Sequence, residues 1–151
     1  APVKDSINGV ITYNTPSVYN GSKFEWVKLT FKNGRIIEQD SSAKDKSEAI
    51  FNTDDGARSV GEFAIGVNPF ITDAIGDILF DEKIAGSIHF TPGCCYDDAY
   101  NGNISAVHWD LVLRQTPDFG GGKIYFDGVL IRENGRFVLD SLKCLNPENL
   151  K

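Results

Sequence analysis

Apolar and polar positions alternate in several stretches of this chain with the two-residue period of β-strands, and turn dipeptides separate the stretches. Val10, Ile11 and Tyr13 form a first β-prone run, ended by Asn14-Thr15-Pro16. Between Phe24 and Phe31, Phe24 and Trp26 fall on one face and Val27, Leu29 and Phe31 on the other. Asn33-Gly34 and then Arg35-Ile36-Ile37-Glu38 follow, so this region predicts a hairpin. The same pattern predicts a β-meander from Lys123–Phe126, Val129–Ile131 and Arg136–Leu139, turning at Asp127-Gly128 and Asn134-Gly135. Ile88–Phe90 and Ser105–Leu113 also read as strands.

Ser41–Asn52 breaks the period. Ser41 or Ser42 offers an N-cap, Asp45 sits in the early turns, Ala49, Ile50 and Phe51 form an apolar patch, and Asp54-Asp55-Gly56 stops the segment. This predicts a helix. Leu79–Ala85 fits a short helix or a strand equally well. The expected fold class is therefore α+β and predominantly β, with a mixed or antiparallel sheet or a partly open barrel and one or two helices.

Composition narrows the function classes. At 151 residues the chain is expected to be a single domain with a core of its own. Its net charge is −6 and it has no Lys/Arg run, which argues against a nucleic-acid partner. No apolar run approaches the ~20 residues of a membrane-spanning helix, so no membrane partner is expected. The cysteine count is odd, with Cys94 and Cys95 adjacent, which points to reduced thiols rather than a disulfide framework. With no signal peptide visible, a cytoplasmic location is expected. The chain begins at Ala1 and contains no Met, so a processed start or a piece of a longer protein is expected. Gly120-Gly121-Gly122 lacks a following Lys-Ser/Thr and reads as a flexible connector, not a phosphate loop.

The chain has two histidines, His89 and His108. On a strand, His108 and Asp110 would point to the same side, and imidazole beside carboxylate is what a Zn, Mn or Co site requires. The bland alternative is a surface His next to a surface Asp. Glu62 lies among small and apolar residues, where a carboxylate needs a partner or a metal unless its face is wet. Glu82 belongs to Asp81-Glu82-Lys83, which also reads as a solvated charge cluster. Tyr96 follows Gly93-Cys94-Cys95; a loop Tyr beside a metal can hydrogen-bond a developing oxyanion, and more commonly it packs its ring.

Taken in order, four blocks resemble one family. They are Gly61-Glu62-x-x-x-Gly66-x-Asn68-Pro69, Leu79-Phe80-Asp81-Glu82-Lys83, His89-Phe90-Thr91-Pro92-Gly93-x-x-Tyr96 and Ser105-Ala106-Val107-His108-Trp109-Asp110. The family is the dinuclear metallo-aminopeptidases of the thermophilic aminopeptidase group (aminopeptidase T, aminopeptidase S and PepS). The resemblance runs from near residue 1 to about residue 140. It implies metal ligands at Glu62, Glu82, His89, His108 and Asp110, two divalent ions (Zn, Co or Mn), and catalytic roles for Tyr96 and for Glu62 as the bridging carboxylate. Peptides would be the substrates and a homodimer the assembly.

Family members are larger, with an N-terminal domain and one more Glu ligand just upstream of the Ala-Pro-Val stretch. The resemblance thus implies that residues 1–151 are the C-terminal catalytic portion, weakly active or inactive alone. Pro92 and Cys94-Cys95 depart from the family pattern. Two other readings stand beside this one: a non-catalytic β-rich binding or structural module, and a metallohydrolase such as an amidase acting on other substrates.

Overall fold

The computed structural model describes residues 1–150. Strands β1 (Gly9–Tyr13), β2 (Ser17–Tyr19), β3 (Ser22–Phe24), β4 (Val27–Lys32) and β5 (Arg35–Ser41) come first. Helix α1 (Lys44–Phe51), strand β6 (Val60–Ile65), the one-turn helix α2 (Ile78–Asp81), and strands β7 (Ser87–Pro92) and β8 (Val112–Arg114) follow. The chain finishes with β9 (Lys123–Phe126), β10 (Val129–Glu133) and β11 (Arg136–Phe137), then short 3-10 turns. The sheets are ordered β1-β4-β5, β6-β7-β8 and β11-β10-β9, beside a β2-β3 ribbon. Every pairing between these strands is antiparallel, and among the described residues no sheet closes into a barrel. The fold is α+β and mostly β.

Asn33-Gly34, Asp127-Gly128 and Asn134-Gly135 turn the expected hairpins, and Asn20-Gly21 turns a fourth, between β2 and β3. Both residues of each pair have positive φ, which suits the right-handed twist of the flanking strands and favours Asn, Asp and Gly. The expected helix is shorter than the sequence pattern. Its N-cap is Ala43, whose side chain makes no cap hydrogen bond. Ser41 stays in β5; its hydroxyl accepts the Ala43 N–H and meets Ser47 Oγ at 2.8 Å. The hydroxyl thus joins helix to strand rather than capping a free N-terminus. Leu79–Ala85 resolves into α2 and a turn. Asp77 caps the helix by accepting the Leu79 N–H, and the buried Asp81 accepts the N–H groups of Ile75 and Gly76.

The expected strand Ser105–Leu113 forms only at its end, as β8. Residues 107–111 nevertheless alternate: Val107, Trp109 and Leu111 are buried in the core. A bridge between His108 and Gly93 and the Trp109 N–H donating to the Pro92 carbonyl hold this segment alongside β7. Trp109 is 1% exposed and lies against Tyr19, Phe24 and Phe51, with its indole N–H donating to Ser17 Oγ at 3.0 Å. The core forms where these rings meet Tyr13, Val27, Leu29 and Ile36 of the first sheet and Ile50 of α1. Tyr13 also donates its hydroxyl to the Phe90 carbonyl, joining the first sheet to β7.

The meander is joined to the same strand by Arg132. Its guanidinium is buried and donates through Nη2 to the Ser87 carbonyl and to Gln115 Oε1. Burial lowers its pKa to about 10, so it remains a cation at neutral pH.

Because Trp109 fills the space between three aromatic rings, Trp109→Ala is expected to destabilise the chain by about 3–5 kcal/mol. Urea unfolding followed by circular dichroism measures this. Trp109→Phe, which keeps the ring stack and loses only the indole hydrogen bond and some volume, is expected to cost less.

Candidate metal centre

The centre is built on one face of the β6-β7-β8 sheet. Glu62 on β6 pairs with Thr91, and Ala64 pairs with His89, so Glu62, Thr91 and His89 share a face. A β-bulge makes this possible. Val60 pairs with Pro92 and Glu62 with Thr91, so the register slips across Gly61. Val60 therefore enters the core while Glu62 turns to the opposite face, although two residues apart they would ordinarily point together. A Cβ at Gly61 would lie 2.0 Å from the Cys94 carbonyl oxygen, so glycine is what lets the Gly93–Cys94 segment approach this strand.

His89 and His108 are oriented by backbone carbonyls. His108 Nδ1 lies 2.9 Å from the Cys94 carbonyl, and His89 Nδ1 lies 3.3 Å from the Glu82 carbonyl. A carbonyl only accepts, so Nδ1 carries the hydrogen on both rings and Nε2 faces the carboxylates. His89 Nε2 is 2.9 Å from Glu62 Oε1, and His108 Nε2 is 3.6 Å from Glu62 Oε2 and 3.4 Å from Asp110 Oδ1. Asp110 is fixed in turn by Thr91, a fully buried residue whose hydroxyl donates to Oδ1 at 2.6 Å. Glu82, next after α2, completes the face; Lys83 forms an ion pair with it.

These donors form two overlapping groups. Glu62, His108 and Asp110 offer ligand atoms within 4.8 Å of one another, and so do Glu82, His89 and Asp110. Asp110 belongs to both. Oxygen and imidazole nitrogen donors in this proportion suit Zn, Co or Mn, and no thiolate takes part. All three cysteines are free. The Cys95 thiol instead accepts the Asn101 N–H and donates to the Asn103 carbonyl, shaping the loop after Tyr96. A neutral imidazole directs a lone pair from Nε2 at anionic oxygen, an arrangement that calls for a cation between them. At His108 in the metal-free chain that cation is a proton. The Asp110 carboxylate beside it, against some opposition from burial, raises the His108 pKa to about 9. Burial alone would raise the Asp110 carboxyl, but hydrogen bonds to His108 and Thr91 outweigh it and hold the group below its usual range.

All five ligand candidates from the sequence lie on this one face. Tyr96 stands at its rim, 61% exposed, with its ring 5.5 Å from that of His108. The nearby Glu62 carboxylate, then burial, then Asp110 raise its phenol pKa, so it keeps its proton as a donor. Gly61 and Thr91 lie within the sequence blocks but carry no role there, and neither does the Cys94 carbonyl. Thr91 was the accessible one, since it sits two residues after His89 and strand periodicity places it on the same face.

The His108 pKa sets a pH dependence in the metal-free chain. Its folded value of about 9 lies above the ordinary 6.5, so its contribution to stability is complete below about pH 6.5. That contribution is lost as the pH rises through about 9. Urea midpoints measured in chelator from pH 6 to 9.5 are expected to fall over this window. His108→Gln is expected to flatten the fall; an unchanged slope in that variant would assign the dependence to another group.

A family model described as thermophilic metalloprotease (M29) matches residues 1–137. Aminopeptidase 2 of Geobacillus stearothermophilus is 40% identical over 149 residues, covering 85% of this chain and 34% of the relative. Aminopeptidase PepS of Streptococcus thermophilus is 31% identical over 153 residues, covering 87% of this chain and 36% of its own. The chain thus spans about a third of the length of these curated relatives. The solved structure of wild-type AmpT from Thermus thermophilus superposes with a TM-score of 0.69 at 24% identity, over 92% of this chain and 38% of that one, a likeness of fold. Since the family model matches residues 1–137, most of the chain, the chain belongs to the thermophilic metalloprotease (M29) family.

Proposed function

We propose that this chain is the metal-binding catalytic portion of a longer aminopeptidase, which removes N-terminal residues from peptides using two divalent ions. One observation carries the reading: five donors from separate parts of the sequence converge as two groups that share Asp110. Glu62, Asp110 and His108 would hold one ion, and Glu82, His89 and Asp110 the other. Glu62 faces both imidazoles and is the further candidate to span the pair. Bound there, Zn, Co or Mn would polarise a scissile carbonyl and lower the pKa of a bound water.

The chain's own residues supply the rest. The Cys94 and Glu82 carbonyls preset both imidazoles, so little reorientation is needed when a cation arrives. Thr91 keeps the Asp110 carboxylate directed into the centre. Tyr96, held protonated, can donate its O–H to the oxygen on which negative charge develops as the peptide carbonyl becomes tetrahedral. Among the described residues no helix is long and apolar enough to cross a membrane.

The reading is tested by aminopeptide hydrolysis with added Zn, Co or Mn, comparing this chain with one extended upstream. The extended chain is expected to turn over substrate much faster, because a further carboxylate ligand and an N-terminal domain would complete the site. Absence of metal-dependent hydrolysis in both would defeat the reading.

Calorimetric titration gives a second prediction. Asp110→Asn is expected to weaken binding of both ions, by more than the roughly 10–100-fold typical of losing an outer hydrogen-bond partner. Cys94→Ser is expected to leave affinity unchanged, since residue 94 acts through its backbone carbonyl. Binding is expected to weaken progressively as the pH falls below about 9, where a proton takes the place of the metal on His108. Equal losses in the two variants would place sulfur in the ligand set.

A further inference from the structure

Cys94 and Cys95 are neighbours in the chain, both thiols are free, and both residues are partly exposed. The peptide bond between them is tied closely to the donor face. Its carbonyl, on Cys94, accepts the His108 Nδ1–H at 2.9 Å. Its two ends press on Gly61, where a Cβ would come within 2.0 Å of the Cys94 oxygen and 2.7 Å of the Cys95 nitrogen. The Cys94 N–H donates to the Val107 carbonyl at 2.7 Å, and the Gly93 N–H to the Ser59 carbonyl at 2.8 Å. The peptide thus stands between β6 and His108 with its orientation fixed from both sides.

The sulfur atoms are held less firmly. Cys95 Sγ has two long contacts, at 3.5 Å from the Asn101 nitrogen and 3.6 Å from the Asn103 carbonyl oxygen. Cys94 Sγ lies within electrostatic reach of His108 and Tyr96, at the rim of the centre. Residues 96–100, which follow the pair, are all exposed, so a small solute reaches it from solvent.

We propose that Cys94 and Cys95 are a modification site for peroxides, an oxidisable dithiol whose disulfide disconnects the Cys94 carbonyl from His108. The thiolate of one cysteine attacks a peroxide oxygen, the O–O bond breaks, and a sulfenic acid and water result. The neighbouring thiol then attacks that sulfur and expels the hydroxyl as a second water. Two thiols and hydrogen peroxide thus give one disulfide and two waters. Disulfides ordinarily span about 4.4–6.8 Å between Cα atoms, whereas a planar trans peptide holds adjacent Cα atoms about 3.8 Å apart. The ring therefore closes only when the peptide between the cysteines twists. That peptide carries the carbonyl that orients His108, so the disulfide and the hydrogen bond exclude each other. Once released, the imidazole is no longer set to present Nε2 to Glu62 and Asp110. By linkage, whatever affinity oxidation removes from a cation at His108, that cation removes from the disulfide. The effect on metal rests on the proposed function; the oxidation and the change at His108 do not.

The test uses the 151-residue chain carrying Cys144→Ser, which leaves the adjacent pair as its only thiols. It is treated with hydrogen peroxide in chelator and mapped by mass spectrometry. The peptide containing both cysteines is expected to lose the mass of two hydrogen atoms and to regain it with dithiothreitol. Cys94→Ser and Cys95→Ser are each expected to abolish this change. Imidazole NMR of the metal-free chain is expected to show the His108 Nδ1–H protected when reduced and exchanging with water when oxidised, with His89 unchanged. Calorimetry is expected to show Zn binding at least about tenfold more weakly to the oxidised chain, the lower end of the cost of losing an outer hydrogen-bond partner. Saturating Zn is then expected to raise the dithiol reduction potential by about 30 mV, the equivalent of that factor for two electrons. Reduced Cys94→Ser, binding Zn like the parent, shows that the weakening does not come from a lost sulfur ligand. Peroxide that yields only sulfinic acid or disulfides between chains would overturn the site. A disulfide that leaves the His108 Nδ1–H protected would overturn the coupling. A disulfide that releases His108 in a chain that takes up Zn in neither state would uphold the dithiol and overturn the metal reading alone.

Discussion

The candidate metal centre depends on the burial of Trp109. Its ring is enclosed by Tyr19, Phe24 and Phe51, and its neighbours His108 and Asp110 are thereby forced outward to the sheet face. Rotating this segment about its own axis would bring a polar side chain into a close-packed core and expose the largest ring the core contains. Core packing and donor geometry are therefore a single constraint. This is why a segment with little regular strand structure of its own holds two candidate ligands in fixed directions.

A second constraint is electrostatic. Both histidines have Nδ1 committed to a backbone carbonyl, so both present Nε2 to carboxylates. Carboxylates packed beside imidazole lone pairs repel unless positive charge lies among them. The proton on His108, which the Asp110 carboxylate retains up to about pH 9, and the divalent ions of the proposed function answer the same requirement in the same place. In the proposed function metal uptake is therefore coupled to proton release, because metal and proton compete for the same nitrogen atom of His108.

The third element is the bulge at Gly61. It sends Val60 into the core and Glu62 to the donor face, and its missing side chain admits the Cys94 carbonyl that orients His108. One glycine thus positions a candidate ligand directly on its own strand and another indirectly through a neighbouring loop.

Much of this was legible in the chain itself. Period-two alternation and Asx-Gly dipeptides are local properties, and they located the hairpin, the meander and the mostly β class, because turn conformation depends on the turn residues themselves. The spacing of His108 and Asp110 foretold their common direction for a related reason: side-chain alternation follows from extended backbone even where strand pairing is sparse. The candidate donors were legible as residue types in order along the sequence, helped by the family resemblance. Their meeting was not, because Glu62, Glu82, His89 and Asp110 are brought together by strand register and by the course of the chain around α2. The bulge at Gly61, the hydroxyl of Thr91 on Asp110, the carbonyls behind the two imidazoles and the absence of a serine cap on α1 were all decided by tertiary structure. Each depends on which distant backbone atom lies within hydrogen-bonding distance, a quantity that local sequence does not encode and that only the packed sheets fix.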